Sequence, residues 1–151
     1  MRSLAFLGVP AGLEPASPLG HALGPGVVDV SYLPKLELRG AVAAVEPAAG
    51  QELLRLSPTR ALLVGAGPAP DGVRAYDMTS ALAAFEVTGE DALRRLTALD
   101  LERLPTAGAF ARGIRAVIQR RDGETFRIFV ARELGHYAVE VVLDTLRGLG
   151  R

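Results

Sequence analysis

Alternation of apolar and polar positions is clearest in the last third of the chain. Gly113–Arg121 and Glu124–Ala131 both alternate, and Asp122-Gly123 stands between them. Both turn residues tolerate positive φ, so the segment predicts a tight hairpin. Phe126, Ile128 and Val130 share one face of the second strand, while Arg127 and Phe129 make the opposite face only partly polar and suited to being covered. Apolar residues then recur at helical spacing as Leu134, Tyr137, Ala138, Val141, Val142 and Leu146, which predicts a helix over Glu133–Arg147 ended by Gly148.

Upstream, Val27–Val30 and Lys35–Arg39 read as short strands, and Val42–Glu46 fits either a strand or a helical stub. Glu52–Leu56 and Arg60–Val64 flank Ser57-Pro58-Thr59 and predict a second hairpin. The Gly- and Pro-rich stretch 65–72 lacks the lysine and the dinucleotide spacing of a phosphate loop, and reads as a plain connection. Ala75–Met78 is short, Thr79 and Ser80 break it, and Leu82–Val87 resumes as a strand. A helix over Gly89–Leu96 follows, with Ala92, Leu93, Leu96 and Leu99 at helical spacing. Thr88 is the expected N-cap, accepting from the Asp91 N–H, and Glu90 and Asp91 suit the positive end of the helix. Residues 1–26 are interrupted by proline and glycine too often for regular structure and read as an arm, leaving 27–151 as one domain.

A chain of 151 residues is long enough for one core. It contains no cysteine, which excludes disulfides, thiolate metal sites and cysteine nucleophiles. No run of eighteen apolar residues occurs, and Leu4–Val9 is too short for a leader before Pro10. The expectation is a cytoplasmic protein without a membrane span. Zero net charge provides no global field for nucleic acid. The charge is nevertheless uneven: residues 1–93 carry six basic and ten acidic side chains, and residues 94–151 carry eleven and seven. Arginine supplies every cation but Lys35.

Candidate chemistry is sparse. His21 has no second ligand at metal spacing, and His136 and Glu140, four apart, read as an exposed helix pair rather than a dyad. Ser57, Thr79, Ser80 and Thr125 sit in no nucleophile elbow. Asp77 reads as a turn carboxylate bonding the backbone around Thr79 and Ser80. Arg112 and Arg115 are permanently charged, able to hold an anion but not to exchange a proton.

Asp77, Thr79, Val87, Gly89, Asp91 and Ala92 together resemble the folate-binding fold shared by glycine-cleavage T-proteins and sarcosine oxidases. The narrower resemblance, over about Ser17–Leu149, is to the gamma subunit of heterotetrameric sarcosine oxidase. It is carried by Ser17-Pro18-Leu19, by the strand-like Leu36–Gly40 and by the hairpin Leu54–Gly65, where Ala61 replaces the family's tryptophan. The resemblance implies an α+β fold with mixed or antiparallel sheets and two main helices, like the N-terminal folate-binding fold of T-proteins with its split ferredoxin-like halves.

In T-proteins an acidic turn places an aspartate beside the folate nitrogen. The matching stretch here, Ala109–Arg120, contains no carboxylate, and loss of that turn is also a feature of the gamma branch. The resemblance therefore implies a small subunit with no catalytic residue of its own, packed against a large alpha subunit in a complex that also contains beta and delta chains. It implies no cofactor in this chain, with FAD, FMN, NAD and tetrahydrofolate in the rest of the complex, which converts sarcosine, oxygen and tetrahydrofolate to glycine, hydrogen peroxide and methylene-tetrahydrofolate. The alternative is a free-standing folate-binding or aminomethyltransferase-related protein, for which Arg112, Arg115 and Asp77 are the weak folate or anion candidates. A third expectation is a relative whose partner oxidises another secondary amine.

Overall fold

Nine strands and two helices are built by the alternation just described, in a computed structural model that describes residues 17–19 and 23–150. The strands are β1 (Val27–Asp29), β2 (Lys35–Gly40), β3 (Glu52–Ser57), β4 (Arg60–Val64), β5 (Val73–Asp77), β6 (Leu82–Thr88), β7 (Thr106–Phe110), β8 (Ile114–Asp122) and β9 (Thr125–Ala131). The helices are α1 (Glu90–Leu96) and α2 (Gly135–Gly148). Pairing is antiparallel throughout, in a five-stranded sheet of order β1-β6-β9-β8-β7 and a four-stranded sheet of order β3-β4-β2-β5. The fold is thus α+β with two antiparallel sheets and two main helices.

Side-chain parity sorts the strands into layers, because successive residues point to opposite faces. On the five-stranded sheet, Ala83, Phe85, Ile118, Phe126, Ile128 and Val130 face the helices and meet Leu93 of α1 and Val139, Val142 and Leu146 of α2. The alternate residues Ala84, Val117 and Phe129 face the second sheet and pack on Leu54, Leu62 and Val64. The far side of the four-stranded sheet buries Leu38, Ala61 and Leu63 beneath Val42 and Val45. The double-sided burial of β9, foreseen from Phe129, follows from its place between helices and sheet.

Several expectations move by a residue or more. The Gly89–Leu96 helix begins at Glu90, and Gly89 at φ 122° rather than Thr88 occupies the cap position. Thr88 closes β6 instead, its hydroxyl 3.5 Å from that of Thr125 across the sheet. Leu99 lies beyond α1. Val42–Ala44 forms a 3-10 turn, resolving the choice between strand and helical stub. A 3-10 turn over Arg132–Leu134 precedes α2, which starts at Gly135 rather than Glu133 and ends at the expected glycine, with Gly148 its last residue and Leu149 at the cap. The buried stripe of α2 is rotated from the expected one: Gly135, Ala138, Val139, Val142 and Leu146 face inward, while Leu134 and Tyr137 are exposed. Strand β7 had no clear sequence signal, since Thr-Ala-Gly-Ala-Phe carries only one large apolar side chain.

Leu19 is fully buried in the helix-side core, and Ser17 is hydrogen-bonded to Asp29 at the end of β1. The rest of the expected arm, residues 1–16 and 20–22 with His21, lies outside the described residues. Leu19 reaches its site beside the start of α2, where Gly135 lets helix and sheet approach closely. A Cβ at Gly135 would stand 2.9 Å from Ala83 Cβ and 3.0 Å from Leu19 Cδ2. Gly135→Ala is therefore expected to destabilise the chain by about 1–2 kcal/mol despite the better helix propensity of alanine, read as a lower urea midpoint with unchanged slope.

Candidate functional site

At one end of the interface between the sheets, the apolar packing opens into a groove of about 200 Å³. Its floor is set by the inward-facing positions Leu62 on β4, Val117 on β8 and Phe129 on β9, with Leu56 and Leu82 at its sides. The polar rim follows from the same parity. Arg60 precedes Leu62 by two positions and Arg115 precedes Val117 by two, so both arginines line the groove on the faces that carry its floor.

Cross-strand register places further arginines beside Arg60, outside the groove lining. Arg39 lies opposite both Arg60 on β4 and Arg74 on β5, which puts three arginines in one row across the four-stranded sheet. A single carboxylate answers two of them. Glu37 accepts from Arg60 Nε at 2.8 Å and from Arg39 Nε at 3.0 Å. Partial burial pushes the Glu37 carboxyl up, but the bonds from Arg60 and Arg39 outweigh it and hold the group below the usual glutamate range. The guanidinium groups of Arg74 and Arg115 make no hydrogen bond or ion pair with any described residue.

A second polar cluster lies where β2 begins. Lys35, the only lysine, is fully buried and donates to the carbonyls of Ser31 at 2.7 Å and Thr79 at 3.1 Å. Burial brings its amine down to about 8, against the opposing pull of Asp29 and Asp77. The Thr79 hydroxyl accepts from the Lys35 N–H at 3.0 Å, and the Thr79 N–H donates to Asp77 Oδ1 at 2.9 Å. Those Thr79 bonds, backbone first, hold the Asp77 carboxyl below its ordinary value. Asp77 thus makes the turn bonds expected of it at Thr79, and it joins a clamp between two loops. Sequence reasoning noted Lys35 only for its rarity. Its spacing carried no signal, because Lys35 shares the polar face of β2 with Glu37 and Arg39 and only the surrounding loops bury it.

Arg112 lies elsewhere. It sits in the β7–β8 turn, where Ala111, Arg112 and Gly113 have φ of 41°, 58° and 87°. It lines a depression beside the helices with Arg95, Val141 and Asp144, whereas Arg115 lines the inter-sheet groove and Asp77 lines neither. The structure therefore does not bring the three sequence candidates to one site. Since a left-handed conformation costs a side-chain-bearing residue about 1–2 kcal/mol, partly offset by the chain entropy of glycine, Arg112→Gly is expected to stabilise the chain by about 0.5 kcal/mol. A small rise in urea midpoint checks this.

His136 Nε2 is 2.9 Å from Glu140 Oε1 on the exposed side of α2, with both side chains more than half accessible. Among the described residues no group of three or more histidine, aspartate or glutamate side chains gathers as a metal site, and no helix is long and apolar enough to cross a membrane.

No protein-family model matches the chain, and no curated protein matches it. Among solved structures, it is similar to a chain of the heterotetrameric sarcosine oxidase from Corynebacterium sp. U-96, solved in complex with pyrrole 2-carboxylate. The TM-score is 0.73 at 16% sequence identity, over 91% of this chain and 97% of that one. At that identity the likeness shows a shared fold.

Proposed function

We propose that this chain is a small, non-catalytic subunit of a sarcosine oxidase-like flavoenzyme, in the position of the gamma subunit and packed against a large alpha subunit. The observation that carries this reading is the reciprocity of the fold match. Because 91% of this chain spans 97% of its structural neighbour, the two are of similar length, and the match is to a whole small chain rather than to a domain inside a large one. The ordered matches of Ser17–Leu19, Leu36–Gly40, Leu54–Gly65 and the Asp77–Ala92 segment point the same way. The complex would oxidise sarcosine and pass the one-carbon unit to tetrahydrofolate, with FAD, FMN, NAD and folate held by other subunits in the cytoplasm.

The proposed role asks this chain for surface and rigidity. A permanent contact of this kind is expected to bury more than about 1,000 Å² in total. The free-standing folate-binding alternative asks instead for a cofactor-sized cavity: the groove at Arg115, at about 200 Å³, falls below the range of about 300–1,000 Å³ typical of small-molecule sites, whereas the depression at Arg112, at about 380 Å³, lies at its lower end.

Copurification of the tagged chain from its own cells at low salt, with an absorbance scan for flavin and identification of bound proteins, tests the reading. A flavin-coloured assembly containing a large folate-fold subunit is the expected result. A colourless lone chain, recovered under conditions that preserve known flavoprotein complexes, would overturn it.

A further inference from the structure

The inter-sheet groove combines an apolar floor with a cation that its own walls leave unanswered. Arg60 is matched by Glu37, whereas the Arg115 guanidinium has no ionic or hydrogen-bonding partner among the described residues. Arg115 is exposed at the rim, two positions from Val117 on the floor, so a group bound there meets an unpaired charge and a greasy surface together. The space is too small for a cofactor of several rings and suits one large side chain.

We propose that this groove anchors a single apolar side chain of a partner polypeptide, of the phenylalanine or leucine class, whose adjacent aspartate or glutamate pairs with Arg115. A bare inorganic anion would use the arginine and waste the floor formed by Leu62, Val117 and Phe129. An uncharged apolar segment would leave Arg115 partly desolvated with no counter-charge, which is unfavourable. An apolar residue beside a carboxylate answers both walls. Small, well-walled pockets of this kind are where interfaces concentrate their binding energy, with the charge pair selecting which segment enters. The inference rests on this chain's own residues and does not require the partner to be an oxidase subunit.

The isotope-labelled chain titrated with the peptide acetyl-Gly-Phe-Asp-Glu-Gly-amide, followed by amide chemical shifts, tests the proposal. Saturable shifts at Leu62, Val117 and Phe129 are expected. Replacing phenylalanine by alanine in the peptide, replacing its two acids by lysines, or making Arg115→Glu in the chain should each weaken binding by about tenfold or more, the equivalent of losing about 1.4 kcal/mol. Arg95→Glu, an exposed change on the helix side of the molecule, should leave binding unaltered. Absence of shifts in the groove, equal response to all three peptides, or a self-associated chain whose dimer is lost in Arg115→Glu would each overturn the proposal. Copurification can succeed or fail independently of these outcomes, so the two readings are tested separately.

Discussion

Lys35→Met is expected to destabilise the chain by about 3 kcal/mol, because a near-isosteric apolar side chain leaves two carbonyls buried without a donor. Those carbonyls, of Ser31 and Thr79, belong to the β1–β2 and β5–β6 loops, and the amine is their common partner. A chemical denaturation midpoint, with the slope checked for constancy, reads the effect. The pH dependence separates this role from simple space filling. The folded amine titrates near 8 and the unfolded one at its ordinary value of 10.5. Below pH 8 both states hold the proton, and the folded state bears the whole cost of a buried charge. Between 8 and 10.5 the folded state has released the proton and the unfolded state still binds it, so this residue makes stability rise with pH across that window. The neutral amine retains two N–H donors for its two carbonyls. Wild-type protein should therefore gain stability relative to Lys35→Met as pH climbs from 8 to 10.5. A difference that stays flat would contradict the assignment.

The second large effect is expected at Arg127. Its side chain is 7% exposed and joins the two sheets: Nη2 lies 3.0 Å from Glu86 on β6, and Nη1 lies 3.6 Å from Glu52 on β3. Gln119 donates to Glu52 at 2.5 Å, and Arg121 pairs with the same carboxylate. Arg127→Met removes one member of a mostly buried charge cluster and strands the others. The cost is expected to be about 2–4 kcal/mol, below the upper range for deeply buried pairs because Glu52 and Glu86 keep some access to water. Adding Glu86→Gln to Arg127→Met should recover part of the loss, since the stranded charge rather than the missing contact is the larger penalty. Additive losses in a double-mutant cycle would show that the two side chains are not coupled. The same cluster bears on acid stability. Partial burial pushes Glu52 up, but Gln119, Arg121 and Arg127 outweigh it and hold its carboxyl below the ordinary value. A depressed carboxylate contributes stability above its unfolded value and loses it as pH falls toward the folded one, so Glu52 and Glu37 together favour loss of the inter-sheet packing in acid rather than at neutral pH.

Much of this architecture was legible from local pattern. The β8–β9 hairpin was foreseen from Asp122-Gly123, but its turn falls one residue later, at Gly123-Glu124, with a bulge between Arg120 and Asp122 and neither Asp122 nor Gly123 at positive φ. Pro58-Thr59 separates β3 from β4 near the expected break, and Phe129 on the polar side of β9 signalled a second covered face. The errors fall where a local rule competed with tertiary packing. Thr88 had the chemistry of a cap, but pairing with β9 held it in the strand and passed the cap position to Gly89. On α2, Tyr137 matched helical spacing, yet Gly135 is the residue small enough to face Ala83, and that close approach rotated the buried stripe. Strand β7 is an edge held by backbone pairing to β8, with too little side-chain bulk to announce itself.

The groove was less legible still. Arg115 was noted as a possible anion holder, but its neighbours come from other strands, and Arg60 and Glu37 reach it only through cross-sheet register. Lys35 and Arg127 likewise acquire their roles from contacts made far along the chain. Spacing within one segment carries no trace of such contacts.

During synthesis, the strands of the two sheets emerge on different schedules. Residues 35–77 contain the whole four-stranded sheet, so it can pair as soon as β5 has left the ribosome. The five-stranded sheet cannot close until β9 arrives, because β9 separates β6 from β8. In the interval, Leu54, Leu62 and Val64 are exposed on a preformed sheet, awaiting Val117 and Phe129. The nascent chain therefore passes through a stage with a sticky, unpaired β surface, which makes the speed of translation across residues 78–131 and the presence of holding chaperones determinants of yield.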